Sequence, residues 1–218
     1  MQVLPIDRAD ALPFLVAKHY ARRVPSISHA FGLFRAGALI GVVTYGTPPS
    51  HTLLKGVAGE AWADKVLELN RLTCENDRNN ASFLVGRSLR LLPKPRIVVS
   101  YADTGVGHVG YVYQATNFLY TGLSSAWTDP VVQGLEHQHH ATFAHGKSND
   151  EMREEFGDAL SFRQRSRKHR YLFICANKRD RARILGDLRY KALPYPKGDT
   201  IRHEVRVADI QTFLWSEQ

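Results

Sequence analysis

The sequence predicts a mixed α/β fold: a central mixed sheet flanked by helices, with a basic C-terminal extension. Three observations carry this. Two strand-loop-helix units occupy the middle of the chain, and helical and strand periodicities alternate along it instead of segregating. The run Arg96 to Ala102 (RIVVSYA) is almost uninterruptedly apolar, as suits a strand covered on both faces. The 218 residues, 44% hydrophobic and 23% charged, suffice for one substantial core. One unit spanning 1–218 is expected, with 161–198 as a basic segment inside it.

Taken in order, Leu12, Leu15, Val16 and Tyr20 recur at helical spacing over 10–21, behind Asp7 or Asp10 as N-caps. Phe31 to Tyr45 reads as two strands joined at Arg35-Ala36-Gly37, where glycine permits a tight turn. Val66 to Cys74 (VLELNRLTC) alternates, with Leu67, Leu69 and Arg71 on one face and Glu68, Asn70 and Leu72 on the other. The polar loop Glu75 to Asn79 leads to a helix from Asn80 or Ala81 to Leu92, stopped by Pro93 and Pro95. After the strand Arg96 to Ala102, the glycine-rich turn Asp103 to Gly110 opens a helix, Tyr111 to Tyr120, with Gly122 as its C-cap. Val131 to His145 reads as a strand, Asn149 to Leu160 as a helix, Tyr171 to Ala176 as a strand and Lys178 to Tyr190 as a basic helix.

No run of about 18 apolar residues occurs, and Met1 to Asp10 lacks a secretory apolar core, so a cytoplasmic protein without a membrane partner is expected. Cys74 and Cys175 lie in apolar strand-like runs and read as reduced core thiols, not as a disulfide framework or a cysteine metal site. The net charge of +8 and pI near 9.6 point to a polyanionic partner. The cations concentrate late: Arg163, Arg165, Arg167, Lys168 and Arg170, then Lys178, Arg179, Arg181, Arg183, Arg189 and Lys191, interrupted only by Asp180 and Asp187. Such a run is either a solvated helix face or a nucleic-acid surface.

Several residues invite chemistry. Asp103 ends an apolar strand, where open α/β sheets collect ligands; its competing role is an N-cap or Asx turn. His108, between Gly107 and Gly110, is either a loop-exposed base or metal ligand, or a plain polar loop residue. Glu68 beside Asn70 and Arg71 orients an amine, ligates a metal, or forms a structural ion pair. The cluster His137-Gln138-His139-His140 is a rival metal site or an exposed polar strand edge.

Two sets of segments carry a resemblance. The first is Glu68-Leu69-Asn70-Arg71-Leu72 with Asn79-Asn80-Ala81-Ser82. The second is Ser100-Tyr101-Ala102-Asp103, Gly107-His108-Val109-Gly110, Tyr113-Gln114-Ala115-Thr116-Asn117 and Tyr120-Thr121-Gly122. Together they resemble the signature of the phage Mom family of DNA-modification proteins, and His19-Tyr20, Pro25-Ser26, Arg167 to Tyr171 and Pro194 to Gly198 extend the likeness. The resemblance implies a GNAT-like (acyl-CoA N-acyltransferase) fold. It also implies a transferase that adds a carbamoylmethyl-type group to the exocyclic amine of adenine in double-stranded DNA, defeating host restriction.

Acyl-CoA and iron are the cofactors the resemblance implies. In that fold the loop before the helix offers backbone amides to the CoA pyrophosphate. Here that assigns cofactor binding to Arg78, Asn79, Asn80, Ser82 and Asn117. The usual Gly-x-Gly of the cradle is missing, and Asn80 and Ser82 stand where residues without a bulky Cβ are expected. Tyr113 takes the place of a thiolate-protonating tyrosine, with Tyr111 and Tyr120 as competitors. Either Asp103 or Glu68 acts as base, or His19, Asp103 and His108 hold iron.

A base extruded from the duplex needs an aromatic slot, for which Tyr101, Tyr111, Tyr113 and Phe118 are candidates. Arg163, Arg165, Arg167, Lys168, Arg170, Lys178, Arg179 and Lys197 are the expected phosphate contacts. The rival functions are a GNAT-type N-acetyltransferase acting on a protein or small amine, and a non-catalytic DNA-binding module. Spatially, Glu68, Asp103, His108 and Tyr113 are expected around one cleft bordered by the basic segment.

Overall fold

The computed structural model describes residues 1–18, 24–75, 79–135, 138 and 141–198. Strand β1 (Gln2–Pro5) lies at a sheet edge, and helix α1 (Arg8–Lys18) follows with its first turn closed on the Asp7 carbonyl. β2 (His29–Arg35) and β3 (Ala38–Gly46) form a hairpin whose turn residues Ala36 and Gly37 take φ of 48° and 83°. Two positive φ values match the right-handed twist of the flanking strands. α2 (His51–Ala58) starts on Ser50, whose hydroxyl accepts the Leu53 amide at 3.3 Å. β4 (Val66–Cys74), α3 (Asn80–Leu91), β5 (Arg96–Asp103), α4 (Tyr111–Ala115), β6 (Leu119–Leu123) and β7 (Trp127–Val132) make the middle of the chain. α5 (Ala141–Ala144), α6 (Asn149–Phe156), β8 (Leu160–Arg165), β9 (Lys168–Cys175) and α7 (Lys178–Asp187) follow.

Among the described residues seven strands form one mixed sheet, ordered β1-β2-β3-β4-β5-β9-β6, while β7 and β8 pair separately. Neighbours are antiparallel except β4 and β5, which run parallel because α3 carries the chain back between them. This is the mixed, helix-flanked sheet that the sequence predicts. One face carries α1, α2 and α7: Val57, Ala58 and Ile184 close over Val66, Ile97, Val99, Leu172 and Ile174, and Ala11 and Leu15 pack on Ala30 and Val42. The second face carries α3 and α4, with Leu84, Val85 and Leu89 against Leu33, Val43, Leu67, Leu69 and Val98. Tyr45 and Ser88 share a buried hydroxyl–hydroxyl bond of 2.6 Å there, so the interior keeps no unmet polar group at that point. Cys74 and Cys175 are free thiols, both pushed up to about 12 by burial. No helix of the described residues is long and apolar enough to cross a membrane.

Five expectations need correction. The helix from Tyr111 ends at Ala115: Asn117 takes φ of 61°, Phe118 is fully buried, and Leu119 and Tyr120 pair with Leu172 and Tyr171 as β6. Pairing with β9 overrides local helical spacing, and Gly122 (φ 89°) sits within that strand instead of capping a helix. The strand expected over Val131 to His145 stops at Val132, and Ala141 to Ala144 is a short helix. α6 stops at Phe156, so Leu160 opens β8. The cations from Arg163 to Arg170 therefore stand on β8, β9 and the turn between them, not on a helix face. α7 ends at Asp187, short of Tyr190.

Leu84 is fully buried between α3 and the sheet. Leu84→Ala is expected to cost about 2–5 kcal/mol, read as a lower urea midpoint with unchanged slope.

Candidate active site

The site begins where two strands part. β4 and β5 pair over three registers, Val66↔Ile97, Leu67↔Val98 and Glu68↔Val99. One step further Ser100 Oγ donates to the Leu69 carbonyl at 3.1 Å, and then the strands separate. β4 bends away because it bulges against β3, pairing jumping from Tyr45↔Leu69 to Thr44↔Arg71 with Asn70 as the extra residue. Asn70 is locked there: Thr44 Oγ1 donates to its Oδ1 at 2.7 Å, and its Nδ2 donates to the Ser26 carbonyl at 2.7 Å. The bulge also breaks the alternation expected for β4. Leu72 rejoins Leu67 and Leu69 in the second-face core, and Arg71 comes round to the face of Glu68.

Glu68 stands at the foot of the gap on the first face. Tyr101 and Asp103 occupy the same face of β5, with Arg170 and Lys168 directly across on β9. Glu68 is half-buried, and among the described residues its carboxylate makes no hydrogen bond or ion pair. Burial holds its pKa above the usual carboxylate value, against the pull of the Lys168 and Arg71 charges. The Tyr101 phenol is pushed up to about 12 by burial, with the Arg170 charge opposing. Arg170 itself is anchored: Nε donates to Thr121 Oγ1 at 3.0 Å, Nη2 to the Thr121 carbonyl at 3.1 Å, and its guanidinium lies 3.5 Å from the Tyr190 ring centre.

Asp103 is engaged as a cap. Its Oδ1 accepts from the Gly105 amide at 2.8 Å and the Ser166 hydroxyl at 2.6 Å, and Lys168 Nζ lies 3.8 Å from Oδ2. This is the Asx-type capping that the sequence offers as its alternative role. The His108 amide returns to the Asp103 carbonyl at 3.0 Å, folding the loop onto the strand end. Tyr113 lies on the second face, its ring 5.4 Å from Phe118 and 5.2 Å from Tyr171. The expected ring of four is thus divided: the sheet separates Tyr113 from Glu68 and Asp103. Tyr111 bonds the Gly198 carbonyl, and Tyr120 bonds His169 Nδ1 at 2.9 Å. Phe118 is fully buried and cannot receive a base.

On the second face a groove of about 580 Å³ runs between α3 and the end of α4, past Asn79, Ser82, Arg90, Lys94, Asn117 and Phe173. Three of the expected cofactor residues therefore line one groove. Asn79 takes the left-handed conformation at φ 69°, which asparagine tolerates where a cradle ordinarily uses glycine, and its own side chain does not cap α3. Asn80 does not line the groove. It is 1% exposed and braces the loop by donating to the Glu75 carbonyl at 3.3 Å, while its Oδ1 is buried without a partner among the described residues. Arg78, His19, His137, His139 and His140 lie outside the described residues. Among the described residues no three His, Cys, Asp or Glu side chains gather into a metal site.

The basic segment divides by position. Arg163, Arg165, Arg167 and Lys168 stand at the Asp103 end of the sheet, whereas Lys178 and Arg179 open α7 beyond Cys175, the partner of Arg96 at the opposite end. Lys197 is exposed on the segment after α7, which crosses β6 through Leu193 N to Tyr120 O at 2.8 Å and Tyr195 Oη to Phe118 O at 2.7 Å. Sequence reasoning missed Trp127, 65% exposed at the start of β7. Its signal was an isolated tryptophan in a Ser/Thr-rich stretch, with no periodicity to place it.

The chain is 27% identical over 202 residues to the methylcarbamoylase mom of Escherichia phage Mu, a match that covers 86% of this chain and 80% of that protein. Among solved structures it is similar to the ribosomal-protein-S18-alanine N-acetyltransferase from Escherichia coli, with TM-score 0.46 and 8% identity over 81% of this chain and 94% of that one. It is also similar to a Bacillus subtilis acetyltransferase in complex with CoA, with TM-score 0.43 and 11% identity over 79% and 97% of the two chains. Residues 1–197 match the family model described as the Mom protein family, and the chain belongs to that family.

Proposed function

We propose that this chain is a DNA-modifying transferase that adds a carbamoylmethyl-type group to the exocyclic amine of adenine in double-stranded DNA and so shields it from restriction. The carrying observation is Glu68, a half-buried carboxylate at the foot of the β4–β5 gap that makes no hydrogen bond or ion pair among the described residues and lies within the field of Lys168 and Arg71. The relationship to the phage Mu methylcarbamoylase supports the reaction class. The lone pair of an adenine amine is delocalised into the ring, so transfer requires a base poised near working pH. Glu68 takes the proton from that amine, and Arg71 and Lys168 favour the ionised carboxylate that does so. Tyr101, on the same face, walls the acceptor. Asp103 positions the loop that bears His108.

The groove fits a phosphate-bearing cofactor of acyl-CoA type. The N-terminus of α3 with Asn79, Ser82, Arg90 and Lys94 suits phosphates, and Phe83 and Phe173 supply an apolar wall. A cofactor of that type, when bound, would supply the carbon skeleton of the added group and leave as its thiolate. Iron fits less well among the described residues, since Asp103 is already engaged by Gly105, Ser166 and Lys168 and no cluster of ligands surrounds it.

Mass spectrometry of nucleosides from plasmid DNA co-expressed with the protein should show an adenosine of added mass; unmodified DNA together with acetylated protein or polyamine would overturn the reading. Glu68→Gln should lower that yield about 10²–10⁴-fold while leaving CoA binding by calorimetry intact. Ser82→Trp, which fills the groove, should do the reverse to CoA binding. The rate should fall on the acid side at a pH above the usual carboxylate range.

Glu68 also carries a stability prediction. Its folded-state pKa lies above its unfolded value, so the stability linked to its proton is fully present below the unfolded pKa and is lost as pH rises through the folded pKa. Above the folded pKa the ionised, half-buried group opposes folding. Glu68→Gln should therefore raise the urea midpoint at pH 7, and the gain should vanish at pH 4 or below, where both side chains are neutral.

A further inference from the structure

The β7–β8 pair is a two-stranded ribbon that leaves the main sheet. β6 and β9 pair up to Leu123↔His169, and six cross-strand pairs then run from Trp127↔Arg165 to Val132↔Leu160, about 20 Å of strand. Its root is fastened to the end of β5 beside the site. Thr104 Oγ1 donates to the Arg167 carbonyl at 2.6 Å, Ser166 Oγ to Asp103 at 2.6 Å, Arg167 Nε to the Ser124 carbonyl at 2.6 Å, and the Lys168 amide to Ser124 Oγ at 3.0 Å.

The ribbon has two unlike faces. Directly opposed residues share a face, so Thr128, Pro130 and Val132 lie with Gln164, Phe162 and Leu160. α6 packs on part of this face, its Arg153 5.6 Å over the Phe162 ring, with Val132 buried and Thr128, Phe162 and Gln164 still exposed. The same helix carries Asp150, Glu151, Glu154 and Glu155, so acidic charge gathers on the covered side. The other face holds Trp127, Asp129 and Val131 with Arg165, Arg163 and Ser161. Asp129 is its one acid, and Arg165 Nε holds it at 2.9 Å. Arg163, Arg165 and Arg167 are exposed, and Trp127 is the most exposed large apolar side chain of the ribbon.

We propose that this open face grips duplex DNA, the ribbon entering the major groove with Arg163, Arg165 and Arg167 on phosphates and Trp127 stacking on bases at the root, next to the Glu68 site. A two-stranded ribbon has the width of that groove. Cations on one face with acids on the other orient it toward a polyanion, and an exposed indole offers a stacking platform that arginine-rich solvated strands do not need. The assignment rests on the DNA reading above. It makes Trp127 a positioning residue that acts before chemistry, and it assigns no role to Lys178 and Arg179, at the far end of β9.

Binding of the full chain to a duplex carrying 2-aminopurine at one adenine position tests this. Arg163→Gln with Arg165→Gln should weaken binding about tenfold or more and lower the slope of log K against log salt by about 2, with the double lysine variant restoring the slope. Lys178→Gln with Arg179→Gln, the same loss of charge, should cost less and leave a steeper slope. Trp127→Ala should keep the slope but lose about tenfold in affinity, together with the indole quenching by DNA and the 2-aminopurine fluorescence rise. Equal losses from the ribbon and α7 pairs, or a silent Trp127→Ala, overturn the ribbon while a wild type that binds and modifies DNA keeps the broader reading. A wild type without duplex affinity overturns both.

Discussion

The parallel pairing of β4 with β5 lasts three registers, and the bulge at Asn70 then turns β4 away; the rest of the architecture depends on that short contact. Parallel strands joined by a crossover helix bury both faces. When they part, backbone groups from Asn70 onward on one side and Tyr101 onward on the other lose each other as partners. β4 finds its bonds with β3, and β5 finds them with β9 through Tyr101↔Arg170 and Asp103↔Lys168. The sheet stays continuous in hydrogen bonds below the gap and opens above it. Helices cover it on either side, so the gap is where material from the two faces can meet.

Under the proposed function, activity and stability oppose each other at that point. Thr44, Asn70 and Ser100 are hydrogen-bonded within or between strands, whereas the Glu68 side chain, two residues before the bulge, has no hydrogen bond among the described residues. A carboxylate partly withdrawn from water is costly to fold around unless it is hydrogen-bonded. Asp103 shows the opposite case. It sits at the strand end where ligands usually gather, yet its oxygens are engaged by Gly105, Ser166 and Lys168, which makes it a brace for the loop and for the ribbon root.

The second face is built from aromatic contacts. Tyr113, Phe118, Tyr120, Phe173 and Tyr171 stack at ring separations of 5.2 to 5.4 Å, and Tyr195 bonds the Phe118 carbonyl from the segment after α7. These rings explain why the chain leaves helical conformation after Ala115: a longer α4 would carry Phe118 away from the core. Membership of the Mom family over residues 1–197 spans the sheet, the groove, the ribbon and this crossing segment together.

The hairpin β2–β3, strands β4 and β5 and helix α3 were legible in the sequence because their patterns are local: alternation, a turn glycine, and prolines that stop a helix. The capping signals of α2, Ser50 and Gly59, were present and went unread. Asn79, Ser82 and Asn117 were placed through resemblance and share a groove. What the linear text could not carry was the side of the sheet on which each residue falls. One inserted residue at Asn70 moved Arg71 to the face of Glu68; pairing with β9 turned Leu119 to Leu123 from helix to strand; and a single basic tract became two, at opposite ends of β9. Local pattern alone decided β2, β3, β4, β5 and α3, and composition alone the net positive charge. Long-range strand registry, which no short window contains, decided which charges and carboxylates face one another.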